Sequence, residues 1–299
     1  GAISGMDAGT RGAYFIDAFE SRRDTYIGPA GGSTPTPTPI PTTTVTGTPT
    51  NTPTPTPTAT ATPTNPPTAT PTGGAVPVIM AASDIVCSSM GAPTSSACAH
   101  MAVSQIIVNQ PPTAVLTVGD NCHDPTVACY RDFYGPSWGR FKAITRPMSG
   151  NHDYLTTGAT PYYDYFNGAG SYTGPAGDRD KGYYSFDIGS WHFVGLNTQC
   201  SQVGGCSAGS PQYTWLENDL KTHPARCTLA FWHIPLFSSG GRANANSRGL
   251  FTLLYNYNAD VVLNGHDHIY ERFAPQRYDG VGDTARGIRE FIVGTGGAN

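Results

Sequence analysis

Residues 33–72 are an almost unbroken run of threonine and proline. Proline holds φ near −65° and removes a backbone donor, so repeated Thr-Pro completes neither a helix nor a sheet ladder and settles into polyproline II. At ~3.1 Å per residue the run spans on the order of 100 Å as a semi-rigid spacer, and its hydroxyls are candidate O-glycan sites. A low-complexity expansion with no selected length would read the same way. The tract divides the 299-residue chain into a leading segment, 1–32, a linker, 33–72, and a stretch, 73–299, long enough to close a core. In the leading segment Ala13–Phe19 alternates partially, like the last strand of an upstream β-sandwich that binds carbohydrate or a cell surface; a disordered leader is the alternative.

A formal net charge of −4 argues against nucleic acid held by bulk electrostatics, and no apolar run reaches membrane-spanning length. Seven cysteines include no CxxC pair. Their spacing suggests local disulfides, Cys87 with Cys98, Cys122 with Cys129 and Cys200 with Cys206, leaving Cys227 over. Disulfides imply an oxidising compartment, which the Thr/Pro tract also favours; seven reduced thiols are the competing reading.

From Val76 onward short strands alternate with helices. Val76–Ala82 and Thr113–Val118 read as buried strands, with a helix between them whose face is Ala99, Ala102, Val103 and Ile106. Tyr183–Asp187 and Trp191–Leu196 read as a hairpin. Pro211–Lys221 reads as a helix, Cys227–Trp232 as a strand, and Leu250, Leu253, Leu254 and Tyr257 as a helix face. Asp260–Leu263 and Ile288–Val293 are the last strands, and the alternation argues for a layered α/β domain.

Metal-type side chains recur just past the strand ends. Asp84 follows the first strand, Gly119-Asp120-Asn121-Cys122-His123 the second, and Gly150-Asn151-His152-Asp153 follows Pro147-Met148-Ser149. His233 follows Phe231-Trp232, and Gly265-His266-Asp267-His268 follows Val261-Val262-Leu263. Open α/β sheets build sites beyond the carboxyl ends of their strands, so these segments converge on one rim. Two cations roughly 3.5–4 Å apart repel, and a shared carboxylate offsets that repulsion while imidazoles and a carboxamide fill the other positions. His100, His192 and His223 match no ligand position and read as ordinary core or surface residues.

Gly-Asp at 119–120, Gly-Asn-His-Asp at 150–153, the His of Trp-His-Ile-Pro at 233 and Gly-His-Asp-His at 265–268 resemble, in that order, the calcineurin-like metallophosphoesterases, and most closely a secreted bacterial group of the purple-acid-phosphatase-like branch. The resemblance runs from Val76 to Asn299. It implies a four-layer sandwich of two mixed β-sheets flanked by helices, here C-terminally truncated. It implies two metal ions, divalent zinc, iron or manganese: one held by Asp84, Asp120, His123 and His268, the other by Asp120, Asn151, His233 and His266, with Asp120 as the bridge. His152 would protonate the leaving oxygen and Asp153 would orient His152. The implied function is extracellular hydrolysis of small phosphate monoesters by a metal-bound hydroxide. A phosphodiesterase or nucleotidase of the same superfamily, and a non-catalytic surface-binding protein with a degenerate metal site, are the alternatives. Two departures stand out. Ser83 precedes Asp84 where the family usually has glycine, and is expected to make Asp84 a less secure ligand. His123 stands where the purple enzymes carry a tyrosine, and Val86 where many other relatives carry a histidine ligand, so His123 is read as the replacement.

Overall fold

The computed structural model describes residues 76–87, 98–225 and 227–298; the leading segment 1–32 and the Thr/Pro tract 33–72 lie outside them. Three strands, β1 (Ile79–Ala82), β2 (Ala114–Val118) and β3 (Thr145–Met148), form one sheet in that order. β2 is buried at every position, which is why Ala-Val-Leu-Thr-Val shows no polar alternation. β3 contains Pro147, tolerated because β3 is an edge strand. The second sheet has the order β4-β5-β6-β7-β9-β8: β4 (Tyr184–Ile188), β5 (Trp191–Gly195), β6 (Cys227–Phe231), β7 (Val261–Asn264), β8 (Tyr270–Arg272) and β9 (Arg289–Val293).

The expectation of two mixed sheets holds for the larger one, whose edges β4 and β8 run antiparallel to their neighbours. The smaller sheet is parallel throughout. Its strands are joined by helical crossovers rather than hairpins, and a crossover returns the chain in the same direction. These connections contain α1 (His100–Asn109) and α2 (Val127–Cys129), the latter continuing into a wider turn at Tyr130–Tyr134.

Four layers follow from the packing. Leu116, Val118 and Met148 of the small sheet meet Phe193, Phe231, Leu263 and Phe291 of the large sheet in the middle. Outside the small sheet, Val103 and Ile107 of α1 and Tyr162, Tyr163 and Phe166 of α3 (Thr160–Asn167) close a second cluster. Outside the large sheet, Leu216 and Leu220 of α4 (Pro211–Thr222) pack with Leu250, Phe251 and Leu254 of α5 (Arg248–Asn256). Pro211 opens α4, and Ser210 caps it by accepting the Tyr213 N–H. The α1 face differs from the expected one: His100, Val103, Ser104 and Ile107 are buried, whereas Ala102 is exposed. The expected disulfides Cys87–Cys98, Cys122–Cys129 and Cys200–Cys206 are all formed, and Cys227 is buried in β6 outside them. No helix of the described residues is long and apolar enough to cross a membrane.

Candidate metal centre

The five motif segments leave the carboxyl ends of parallel strands in both sheets: β1 leads to Asp84, β2 to Asp120 and His123, β3 to Asn151 and His152, β6 to His233, and β7 to His266 and His268. Three of these residues adopt left-handed backbone, Asp84 at φ 59°, Asp120 at 48° and His266 at 72°. That conformation is unfavourable for a side chain bearing Cβ and persists where surrounding packing over-determines it. Two glycines make the close approach possible. A Cβ on Gly119, itself at φ +92°, would strike the His233 ring, and one on Gly150 would strike the Asp120 carboxylate.

The side chains gather into two groups that approach each other at Asp120 and His123. In the first, His123 Nε2 lies 3.6 Å and His268 Nε2 3.2 Å from Asp84 Oδ1. In the second, Asp120 meets His233 and His266, with His233 Nε2 3.0 Å from Asp120 Oδ2. Asp120 also groups with His123 and His152, whose Nε2 is 3.9 Å from Asp120 Oδ2. The His123 and His152 rings stack at 4.4 Å.

The chemistry of this set fits cations. Asp84 Oδ1, His123 Nε2, Asn151 Oδ1 and His233 Nε2 are buried without a hydrogen-bond partner, although buried polar atoms are ordinarily satisfied. Tautomers are set from behind. A carbonyl only accepts, so His233 Nδ1 donates to Val118 O at 2.9 Å and turns Nε2 toward Asp120 Oδ2. Electrostatics point the same way. Burial opposes the charged form of Asp84, yet the neighbouring His123 and His268 imidazoles hold its carboxyl well below the usual range. Asp120 is likewise held low, against burial, by His233. His233 is driven up to about 9, against burial, by Asp120 and Asp84, while burial and the His233 charge push His266 down to about 4. Two buried carboxylates thus demand positive charge where the unpartnered atoms meet.

Asp153 is placed differently from the expectation. Its carboxylate accepts from Tyr130 OH at 2.6 Å, Gly150 N at 2.8 Å and Asn121 Nδ2 at 3.3 Å. The His152 ring is held instead by the His123 carbonyl, which accepts from Nδ1 at 2.8 Å. Asp153 therefore braces the loop, not the imidazole. Burial and the Asp120 charge raise its carboxyl to about 6 despite those hydrogen bonds. Val86 and the 121–123 segment pair as neighbouring extended chains, Val86 N–H to Asn121 O and His123 N–H to Val86 O, so His123 stands beside Val86.

Sequence reasoning missed several supporting residues. Tyr130 and Asn121 hold Asp153, and Asp267, inside Gly-His-Asp-His, accepts from Ser238 Oγ and from Arg242 N at 3.2 Å. Only Asn121 and Asp267 carried a signal, by sitting inside the motifs. A further cluster, His192, Asp219 and His223, lies at the opposite end of the large sheet. Asp187 takes His192 Nδ1 at 2.7 Å and Asp219 takes Nε2 at 2.8 Å, so this imidazole is already paired at both nitrogens.

Residues 79–270 match the family model described as calcineurin-like phosphoesterase. Purple acid phosphatase 15 of Arabidopsis thaliana is 30% identical over 149 residues, 45% of this chain and 27% of that protein. Acid phosphatase type 7 of Homo sapiens is 27% identical over 159 residues, 46% of this chain and 36% of that protein. The chain thus spans about a third of the length of such relatives. Among solved structures, a purple acid phosphatase from yellow lupin (Lupinus luteus) seeds superposes with a TM-score of 0.60 at 21% identity, covering 74% of this chain and 44% of that one. The anchor in the inner membrane complex of Plasmodium superposes with a TM-score of 0.51 at 16% identity, covering 73% of this chain and 71% of that one.

Proposed function

Because the chain belongs to the calcineurin-like phosphoesterase family, we propose that it is an extracellular phosphatase acting on small phosphate monoesters, with two divalent metal ions, zinc, iron or manganese, as cofactors. The observation that carries this reading is the pair of buried groups approaching at Asp120, each with ligand atoms lacking a hydrogen-bond partner. One ion would be held by Asp84, Asp120, His123 and His268, the other by Asp120, Asn151, His233 and His266. When bound, the ions supply a water of lowered pKa and positive charge against the phosphoryl oxygens.

The remaining work falls to the chain. Asp120 Oδ1 accepts the His152 backbone N–H at 2.8 Å, which ties the shared carboxylate to the turn carrying the proposed general acid. With Nδ1–H committed to the His123 carbonyl, His152 gains and loses its proton at Nε2, the nitrogen on the Asp120 side. A leaving alkoxide there would collect that proton. Asp153 keeps the 150–153 turn in register by accepting the Gly150 N–H.

Three disulfides support an oxidising, extracellular setting. Residues 73–299 are proposed as the catalytic domain, 33–72 as its linker and 1–32 as the tail of an upstream surface- or carbohydrate-binding domain. The test is turnover of p-nitrophenyl phosphate and bis-p-nitrophenyl phosphate by zinc-, manganese- or iron-loaded protein, with metal analysis. The monoester should be the better substrate. Preference for the diester would favour a phosphodiesterase. Two bound ions with no turnover of either ester would favour a non-catalytic binding protein.

A further inference from the structure

Ser83 directly precedes Asp84, and its surroundings show what it does to that carboxylate. Ser83 is fully buried, and its main chain is clamped on both sides. Its N–H donates to Val293 O at 3.0 Å and its carbonyl accepts from Gly296 N at 2.8 Å. From that fixed base the hydroxyl donates to Asp84 Oδ2. The same oxygen accepts the His266 backbone N–H at 3.0 Å. Gly294 closes the other side, where a Cβ would sit 3.1 Å from Oδ2. Oδ2 is therefore enclosed by two donors and a backbone. Oδ1 is the opposite case: buried, unpartnered, and facing His123 Nε2 and His268 Nε2.

We infer that Ser83 is a positioning residue for the first metal: its hydroxyl fixes the Asp84 carboxylate so that Oδ1 alone is offered to the ion. This rests on the metal-site reading above. A carboxylate free to rotate can engage a cation through both oxygens and occupy an extra coordination position. In this chain His123 already brings an imidazole to that group. A one-oxygen Asp84 leaves a position for water or a phosphoryl oxygen. The opposite wall is shaped for the hydroxyl, since a Cβ on Gly265 would collide with Ser83 Oγ. On this inference the serine secures Asp84 rather than weakening it, through the hydrogen bond from its hydroxyl to Oδ2.

The experiment is zinc titration of the full chain and its Ser83→Ala and Ser83→Gly variants against a competing chromophoric chelator, with thermal unfolding of the metal-stripped proteins alongside. Ser83→Gly removes the hydroxyl by a second route, and the thermal unfolding separates a folding defect from a change at the metal. Loss of an outer-shell partner typically costs about 10–100-fold in metal affinity. One of the two zinc ions should loosen by that factor in both variants, with the other unchanged. Wild-type affinity for both ions in both variants, or equal loosening of the two, overturns the inference while leaving the metal centre standing. A wild-type chain that binds fewer than two zinc ions overturns the metal-site reading, and this inference with it.

Discussion

Removing the Cys122–Cys129 disulfide should damage the site out of proportion to its effect on stability. The bridge ties two parts of one network. Cys122 lies between Asn121, which donates to Asp153, and His123, whose carbonyl holds the His152 ring. Cys129 leads directly into Tyr130, whose hydroxyl donates to Asp153. By loop-closure entropy, a sequence separation of 7 corresponds to about 2.4 kcal/mol. The Cys200–Cys206 bridge, with a separation of 6, corresponds to about 2.2 kcal/mol. The pair Cys122→Ala/Cys129→Ala and the pair Cys200→Ala/Cys206→Ala should therefore lose nearly equal unfolding free energy in urea. Their turnover of p-nitrophenyl phosphate at saturating zinc should diverge. A displacement of about 1 Å in a catalytic group can cost about 10²-fold, and only the first pair releases the carbonyl that aims His152. Similar stability losses with similar turnover in both variants would refute the reasoning, because His123 and His152 would then be held without the bridge.

His152→Ala should lower turnover by about 10²–10⁴-fold while zinc content stays at the wild-type value; unchanged rates on an ester with a poor leaving group would remove its role as general acid. His192 provides a pH test away from the metal centre. Burial lowers its affinity for a proton, but Asp219 and Asp187 raise it above the ordinary 6.5 overall, so its contribution to stability is complete below that value and fades as pH rises through the folded-state value. The stability gap between wild type and His192→Gln, from urea unfolding, should be largest near pH 5.5 and shrink by pH 9; a constant gap would contradict the pairing. Iron-loaded protein should lack a visible phenolate-to-iron band, since position 123 is an imidazole and Tyr130 donates its hydroxyl to Asp153, with burial and that carboxylate holding the phenol well above its usual range. An intense band lost in Tyr130→Phe would overturn this.

Much of the site was legible because its signal is local. Each ligand-type residue sits within a few positions of a strand end, and strand ends are marked by short apolar runs that stop at Gly-Asp, Ser-Gly-Asn or Asn-Gly-His. In the large sheet β4, β5, β6, β7 and β9 were legible as apolar or alternating runs, whereas the three-residue edge strand β8 was not read as one. The segment from Val127 to Asn167 was not legible. It is cut into short pieces of different period, the wider turn at Tyr130–Tyr134, 3-10 turns at Trp138–Ile144, Asp153–Leu155 and Thr157–Ala159, and α3, so no single helical period runs through it. The α1 face was misread by a partial rotation for a different reason. Ser104 and His100 hold two of its buried positions, where a hydrophobic pattern looks for alanine or isoleucine.

What stayed illegible at the site was direction through space. Asp153 stands next to His152 in the chain, and adjacency suggested that it orients the imidazole. The turn after His152 sends the two side chains apart: the ring stacks on His123, and the carboxylate is buried beneath the loop against Tyr130 and Asn121. Ser83 and Asp84, also adjacent, do meet, because the left-handed backbone at Asp84 brings its carboxylate to the serine hydroxyl. Neighbours in sequence therefore share a task only when the intervening backbone angles allow it. At this rim those angles are set by residues far along the chain: the Gly119 backbone accepts the Asp84 N–H, the Asp120 side chain accepts the His152 N–H, and Ala298 donates to the Asp84 carbonyl. Motif spacing recovers which side chains reach the rim, whereas these long-range contacts, together with the Ser83 hydroxyl, decide which atom each one presents.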